Sequence, residues 1–206
     1  MKTPEPDIKL MLERVAKCIS PSAAHSQGPE KTVEKAQRFL RRPSLIAKFS
    51  EASSAEEFRA TLDRNTAALR KALPEGTNKK TGKPWGKHWG SARKFMNIFL
   101  FECVLNKRLY KHYKLAKLEP WLEVPLDNSV AKGIRKDVRK HKVECKSGLP
   151  QFRAITHLTK DDSNAFQCAA SELAKTFYRC DRVYLDLQYF RQGDSKKRSQ
   201  AEKAAK

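Results

Sequence analysis

The chain has 206 residues, of which 39% are hydrophobic, including ten Phe and three Trp, so we expect one domain with a buried core. No apolar run approaches the roughly 18 residues that a membrane span needs, and the opening Pro4–Asp7 does not resemble a secretory leader. These features exclude a membrane protein and indicate a cytoplasmic protein, or a nuclear one in a eukaryote.

Charge is the strongest global feature. Lys and Arg number 43 against 23 Asp and Glu, which gives a net charge of +20. Mixed charges would keep a protein soluble without this excess, so the imbalance predicts a polyanionic partner, first of all nucleic acid. A membrane surface and a basic protein without a partner are the alternatives. Between Thr77 and Leu118 only one acid, Glu102, accompanies the Lys and Arg residues.

Five cysteines lie far apart along the chain: Cys18, Cys103, Cys145, Cys168 and Cys180. They form no Cys-x-x-Cys pair and no cluster with His, which is the spacing that zinc and iron–sulfur sites require. We expect buried, reduced thiols, and neither a metal nor a cofactor.

Helical periodicity dominates the first half of the chain. We predict helices over Asp7–Ile19 and Lys31–Leu40, and a short turn over Ser44–Phe49. Ser54 begins a capping box with Glu57, in which each side chain meets the other residue's backbone amide, and the helix that follows runs to Leu73. The segment from Glu75 to Lys87 is rich in Gly, Lys and Pro and predicts a mobile basic loop.

A basic and aromatic turn then runs into an apolar helix. The turn is Lys87-His88-Trp89-Gly90, and Ser91 is placed to cap the helix. The core face of this helix is predicted to comprise Phe95, Ile98, Phe99 and Leu105. Because helix N-termini attract phosphate, Arg93 and Lys94 beside this one indicate an anion-binding corner.

The second half of the chain is also predicted to be helical. A short apolar segment covers Leu115–Leu122, a helix starts near Asp127, and a third helix is capped by Thr159 or Asp161. Residues 183–190 alternate like a strand but have no partner strand, so we predict a helix there. The predicted fold is all-α, with one compact helical domain over residues 1–190 and a charged tail over 191–206.

Two segments resemble the helix-hairpin-helix DNA glycosylases, such as endonuclease III and 8-oxoguanine glycosylase. In the first, Gly90, Lys94 and Asn97 match the first glycine, the lysine and the polar position of that family's hairpin. In the second, Val124-Pro125-Leu126-Asp127 resembles the segment that ends in the catalytic aspartate. Ala92 stands where the family has its second glycine, and the Lys94–Asp127 separation requires an insertion such as Phe101–Pro120.

The resemblance implies a DNA glycosylase, with or without lyase activity, that excises a damaged or modified base from duplex DNA. Such an enzyme extrudes the base before attack. Lys94 would attack C1′ as an unprotonated amine, and Asp127 would stabilise the cationic transition state. The implied DNA-binding residues are Lys87, His88, Trp89, Gly90, Ser91, Ala92, Arg93, Lys132 and Arg135.

Other interpretations of these residues stay open. Lys94 could be a phosphate contact or a solvated lysine, and Asp127 could only cap a helix. Lys132 and Arg135 face either phosphate or water. The alternative function is therefore a non-catalytic nucleic-acid-binding protein that keeps the helix-hairpin-helix scaffold, and an RNA-binding basic protein is a third possibility. We expect a monomer.

Overall fold

The chain is helical throughout most of its described length. In the computed structural model, the described residues are 7–21, 23, 28–77, 82, 84–144 and 148–189. The helices in these ranges are α1 Ile8–Ala16, α2 Thr32–Leu40, α3 Pro43–Ser50, α4 Ala55–Ala72, α5 Trp89–Leu105, α6 Lys107–His112, α7 Asn128–His141 and α8 Lys160–Leu173. A two-stranded hairpin, β1 Glu75–Thr77 and β2 Pro84–Gly86, separates α4 from α5. The all-α prediction is confirmed.

The chain divides into two compact units, Met1–Leu122 and Glu123–Lys206. The predicted tail over residues 191–206 lies outside the described residues, and the boundary at 190 stays a prediction. No helix in the described ranges is both long enough and apolar enough to cross a membrane.

Three helices begin at the predicted capping residues Ser54, Asp127 and Thr159, and α1 begins one residue after Asp7, which was expected to be its first residue. Asp7, Ser54, Asp127 and Thr159 each accept a hydrogen bond from a backbone amide in the first turn of the helix that follows. One detail of the predicted capping box is wrong. The Glu57 carboxylate accepts from the backbone N and Oγ of Ser53, both at 2.8 Å, so it reaches one residue further back than Ser54.

Helix α5 forms the core of the first unit. Phe95, Met96 and Phe99 are fully buried on it, and its neighbours include α1, α2, α4 and α6. Leu105 was expected on the core face but is 49% exposed. The reason is that α5 ends at this residue and Asn106 caps α6 directly after it, accepting from the amides of Arg108 and Leu109.

Two other local predictions for this unit differ from the structure. The segment over Ser44–Phe49 is a helix of 8 residues, α3, and not a single turn. Part of the predicted basic loop is the β-hairpin, in which Glu75 pairs with Gly86 and Thr77 with Pro84. Residues 78–81 and 83 of that loop lie outside the described residues.

The second unit contains α7, α8 and the segment that follows α8. The Gln167 side chain of α8 bonds both the amide and the carbonyl of Val124, at 3.0 and 2.8 Å. Helix α8 continues as a π-helical turn over Ala174–Tyr178. A 3₁₀ turn over Arg182–Tyr184 follows, and residues 185–189 are helical. The helix predicted there is confirmed as far as Tyr189, and Phe190 lies outside the described residues.

Candidate nucleic-acid interface

The start of α5 is a helical turn and not a hairpin between helices. The helix begins at Trp89, with His88 as a cap that makes no side-chain capping bond. Ser91 therefore lies inside the helix and does not cap it. The cause lies at the end of β2, where Gly86 and Lys87 take positive φ values of 116° and 51° and turn the chain directly into α5. Gly86 is required there, because a Cβ would meet the Pro74 carbonyl oxygen.

The Arg93 side chain is bound inside the first unit. It is 2% exposed, and its guanidinium forms an ion pair of 2.8 Å with Asp63 on α4 and donates to Thr66 at 3.1 Å. The same guanidinium lies 5.4 Å from the centre of the Trp89 ring. A buried charge is costly unless it is paired and hydrogen-bonded, which these partners provide. Through them, Arg93 connects α5 to α4.

Lys94 is also enclosed. The residue is only 8% exposed, and its Nζ donates to the carbonyl oxygen of Ala23 at 3.3 Å. Gly90, Ser91 and Ala92 are buried as well. Of the predicted contact residues in this segment, Lys87, His88 and Trp89 remain half-exposed.

Two of those three half-exposed side chains bond within the protein. Lys87 Nζ lies 3.1 Å from the Glu75 carboxylate, and the Gly86 amide donates to His88 Nε2 at 3.1 Å. Arg70 donates to the Lys87 carbonyl at 2.7 Å. The segment 87–94 is thus held by the hairpin, α4 and its own helix.

Asp127 stands at the start of α7. Its Oδ1 accepts from the amides of Ser129 and Val130, at 2.9 and 3.0 Å. Asp127 belongs to the second unit and Lys94 to the first. Neither unit by itself contains the predicted catalytic pair.

The exposed side of α7 carries four cations, which we call the α7 stripe: Lys132, Lys136, Arg139 and Lys140. Their spacing of four, seven and eight residues from Lys132 places them on one helix face. None of the four makes an ion pair with a described residue. The one acid among the 14 residues of α7, all of them described, is Asp137, which is 4% exposed.

The Asp137 side chain faces inward and accepts hydrogen bonds from two tyrosine hydroxyls. Its Oδ2 accepts from the hydroxyls of Tyr178 at 2.6 Å and Tyr189 at 3.0 Å. Burial and the hydrogen bond to Asp137 raise the pKa of Tyr178 to about 12. The pKa of Tyr189 is raised further, first by burial and then by the Asp137 charge. The exposed charged residues of α7 are therefore all cations.

Arg135, a predicted DNA contact on the same helix, lies on a different side. It is half-buried, donates to the carbonyls of Leu149 and Pro150, and sits 5.5 Å from the centre of the Phe166 ring. This arrangement fixes the loop before α8 to α7. Lys132, in contrast, is exposed on the stripe.

A second exposed basic group lies in the first unit and was not among the predicted contacts. It consists of Lys107, Arg108 and Lys111 on α6, with Lys114 and Lys117 just after that helix. The excess of basic residues between Thr77 and Leu118 was the signal for it. The predicted contacts of this unit instead lie at the start of α5, where Gly90 to Lys94 are buried.

The chain matches no family model, no curated protein and no solved structure.

Among the described residues, no three His, Cys, Asp or Glu side chains converge in a way that would hold a metal ion. Burial raises the pKa of the Cys103 thiol well above its ordinary value. The thiols of Cys18, Cys103, Cys168 and Cys180 are free, but only Cys103 is buried. The expectation of buried thiols is wrong for Cys18 and Cys168, which are exposed, and Cys145 lies outside the described residues.

Proposed function

We propose that this protein binds nucleic acid, and duplex DNA in particular, through the phosphate backbone along the α7 stripe. The observation that carries the proposal is a helix face with four exposed cations and no exposed carboxylate. From Lys132 to Lys140 the helix rises about 12 Å. Duplex DNA carries one charge for about every 1.7 Å of its axis, so several phosphates lie within reach of the stripe.

The electrostatics of the whole chain support this proposal. The net charge of +20 attracts any polyanion at long range, and the stripe offers cations that no described carboxylate neutralises. Binding to phosphates releases condensed counterions, so the affinity should fall steeply with salt. A protein with this function works where DNA is, in the cytoplasm of a bacterium or in a nucleus.

The proposal is tested by fluorescence anisotropy with a labelled duplex at several salt concentrations. The double variant Lys136→Gln/Lys140→Gln should bind more weakly, with a log–log salt slope smaller by about 2, because two phosphate contacts are lost. Lys9→Gln on α1 removes another exposed lysine and should leave the slope unchanged. A double variant with the wild-type slope would contradict the proposal.

Base excision is the second candidate function. Asp127 is the N-cap of the helix that carries the stripe, five residues before Lys132. The resemblance to helix-hairpin-helix glycosylases gives this carboxylate the role of stabilising a cationic sugar while the bond between C1′ and the base breaks and water adds to C1′. In the lyase version, the Lys94 amine attacks C1′ and gives a Schiff base, which requires Nζ to leave the Ala23 carbonyl.

Base release from duplexes that carry damaged bases tests this second candidate. Asn caps helices about as well as Asp, so Asp127→Asn should fold and bind DNA yet lose base release. For the lyase version, borohydride should trap a covalent complex with wild type and not with Lys94→Ala. Wild-type protein that binds the duplexes but releases no base would leave the non-catalytic alternative in place.

A further inference from the structure

A cavity of about 470 Å³ opens in the second unit where the α7 stripe ends. Its walls include Val143, Ala165 and Ala169, and its volume falls in the range of about 300–1,000 Å³ found for sites that hold small organic groups. Both His141, the last residue of α7, and Phe177 of the π-helical turn line it. The cavity thus follows directly on the cations of α7.

Phe177 gives this cavity an accessible aromatic surface. The residue is 42% exposed, although Phe is normally buried. Its ring is held against the His141 ring, with centroids 4.1 Å apart and planes tilted by 31°. Stacking on His141 orients the ring and leaves part of it open. An oriented, accessible aromatic ring beside a basic surface is the arrangement that stacks an unpaired base.

The charges around the cavity decide which part of a nucleotide enters it. Two carboxylates, Glu144 and Glu172, line the cavity, and Glu172 already accepts a bond from Thr176 at 2.9 Å. A phosphate inside would meet these like charges, whereas an uncharged base would not. Lys142, which follows His141, also lines the cavity, and Lys140 precedes His141; both lysines are exposed. We therefore expect the phosphates to bind the exposed lysines and the uncharged base to enter the cavity.

We propose that the cavity lined by Phe177 and His141 holds an unpaired base of a nucleic acid whose backbone follows the α7 stripe. This inference rests on the proposed nucleic-acid binding and adds a site to it. The cavity lies at the opposite end of α7 from Asp127, about 20 Å away along the 14-residue helix. The cavity adds a contact for an unpaired base to the phosphate contacts of the stripe, and it is separate from the candidate site of base excision.

The test compares a short single-stranded oligothymidylate with an abasic strand of the same length, which keeps the phosphates and lacks the bases. Wild type should bind oligothymidylate more tightly than the abasic strand. Phe177→Ala should weaken oligothymidylate binding by about 5- to 150-fold, which is the range for loss of one stacked base, and should leave abasic binding and the salt slope unchanged. Phe177→Trp should restore the preference for bases.

Leu187→Ala is the matched control, because Leu187 is 47% exposed in the same unit but does not line the cavity. It should bind both strands like wild type. Equal binding of both strands by wild type, or a Phe177→Ala protein of wild-type melting temperature with undiminished oligothymidylate binding, would overturn the inference. If the Lys136→Gln/Lys140→Gln variant still loses duplex binding in that case, the proposed function stands without the base site. If that variant also binds duplex like wild type, both fail.

Discussion

The start of α5 and the outer face of α7 contain the same kinds of residue in opposite environments. At the α5 start, Arg93 is 2% exposed and paired with Asp63, and Lys94 is 8% exposed. On α7, Lys132 and Lys136 are exposed and make no ion pair with a described residue. A Lys or Arg can therefore bind a phosphate only when the fold leaves its side chain exposed to solvent and no carboxylate pairs with it.

The difference has an energetic cause. Moving a charge out of water is costly unless a partner and hydrogen bonds compensate it, so a cation inside a core must be bound by the protein itself. Arg93 meets this condition with a carboxylate, a hydroxyl and an aromatic ring. Lysines on a solvated helix face need no such partners, so their charge can attract an anionic ligand.

The first prediction tests this contrast through stability. Arg93→Ala should lower the free energy of unfolding by about 3 kcal/mol or more, because it removes the ion pair with the partly buried Asp63 and the hydrogen bond to Thr66. Lys136→Ala removes the same charge from the surface and should change stability by less than about 0.5 kcal/mol. Urea denaturation followed by circular dichroism measures both. Equal effects of the two substitutions would contradict the contrast.

The second prediction concerns the inner face of α7. A Cβ at Gly133 would overlap the ring of Tyr189, which is only 2% exposed and cannot move aside. Gly133→Ala should therefore lower the free energy of unfolding by about 1–2 kcal/mol, even though Ala favours a helix by about 1 kcal/mol over Gly. Ser129→Ala, an exposed change on the same helix, is the control. A Gly133→Ala protein more stable than wild type would show that α7 does not pack on Tyr189.

The third prediction concerns the pH dependence of stability that arises from Tyr178, whose hydroxyl donates to the one acid of α7, Asp137. The pKa of Tyr178 is raised to about 12, by burial first and by its hydrogen bond to Asp137 second. Because the folded value lies above the ordinary value of about 10, this stabilisation is complete below pH 10 and is lost as the pH rises towards 12. Between these two pH values the stability of wild type should fall more steeply than that of Tyr178→Phe. Parallel declines in urea denaturation would contradict the assignment.

Local chemistry made much of the fold predictable. A cap needs only a side-chain oxygen and an amide two or three residues later, so Ser54, Asp127 and Thr159 mark helix starts from sequence alone. The hairpin escaped prediction because its strands have three residues each, too few to display alternation. Ser91 was the wrong cap because the positive φ values at Gly86 and Lys87, which start the helix earlier, are not visible in the sequence pattern.

The candidate site was predictable only in part. The basic helix after Asp127 was found, since its charges and its cap lie within one short segment. The burial of Arg93 depends on Asp63, thirty residues away in sequence, so proximity along the chain gave no sign of it. In the same way, Phe177 and His141 meet only after α7 and α8 pack together, and neither residue's surroundings in the sequence predicted the cavity.

The most direct test of the account is a footprint of lysine acetylation with and without duplex DNA, read by mass spectrometry of the full chain. Bound phosphates should protect Lys132, Lys136 and Lys140 from the reagent. Lys87, which is paired with Glu75 at the start of α5, should be acetylated equally in both states. Protection of Lys87 without protection of the α7 lysines would contradict the claim that α7 is the face that meets nucleic acid.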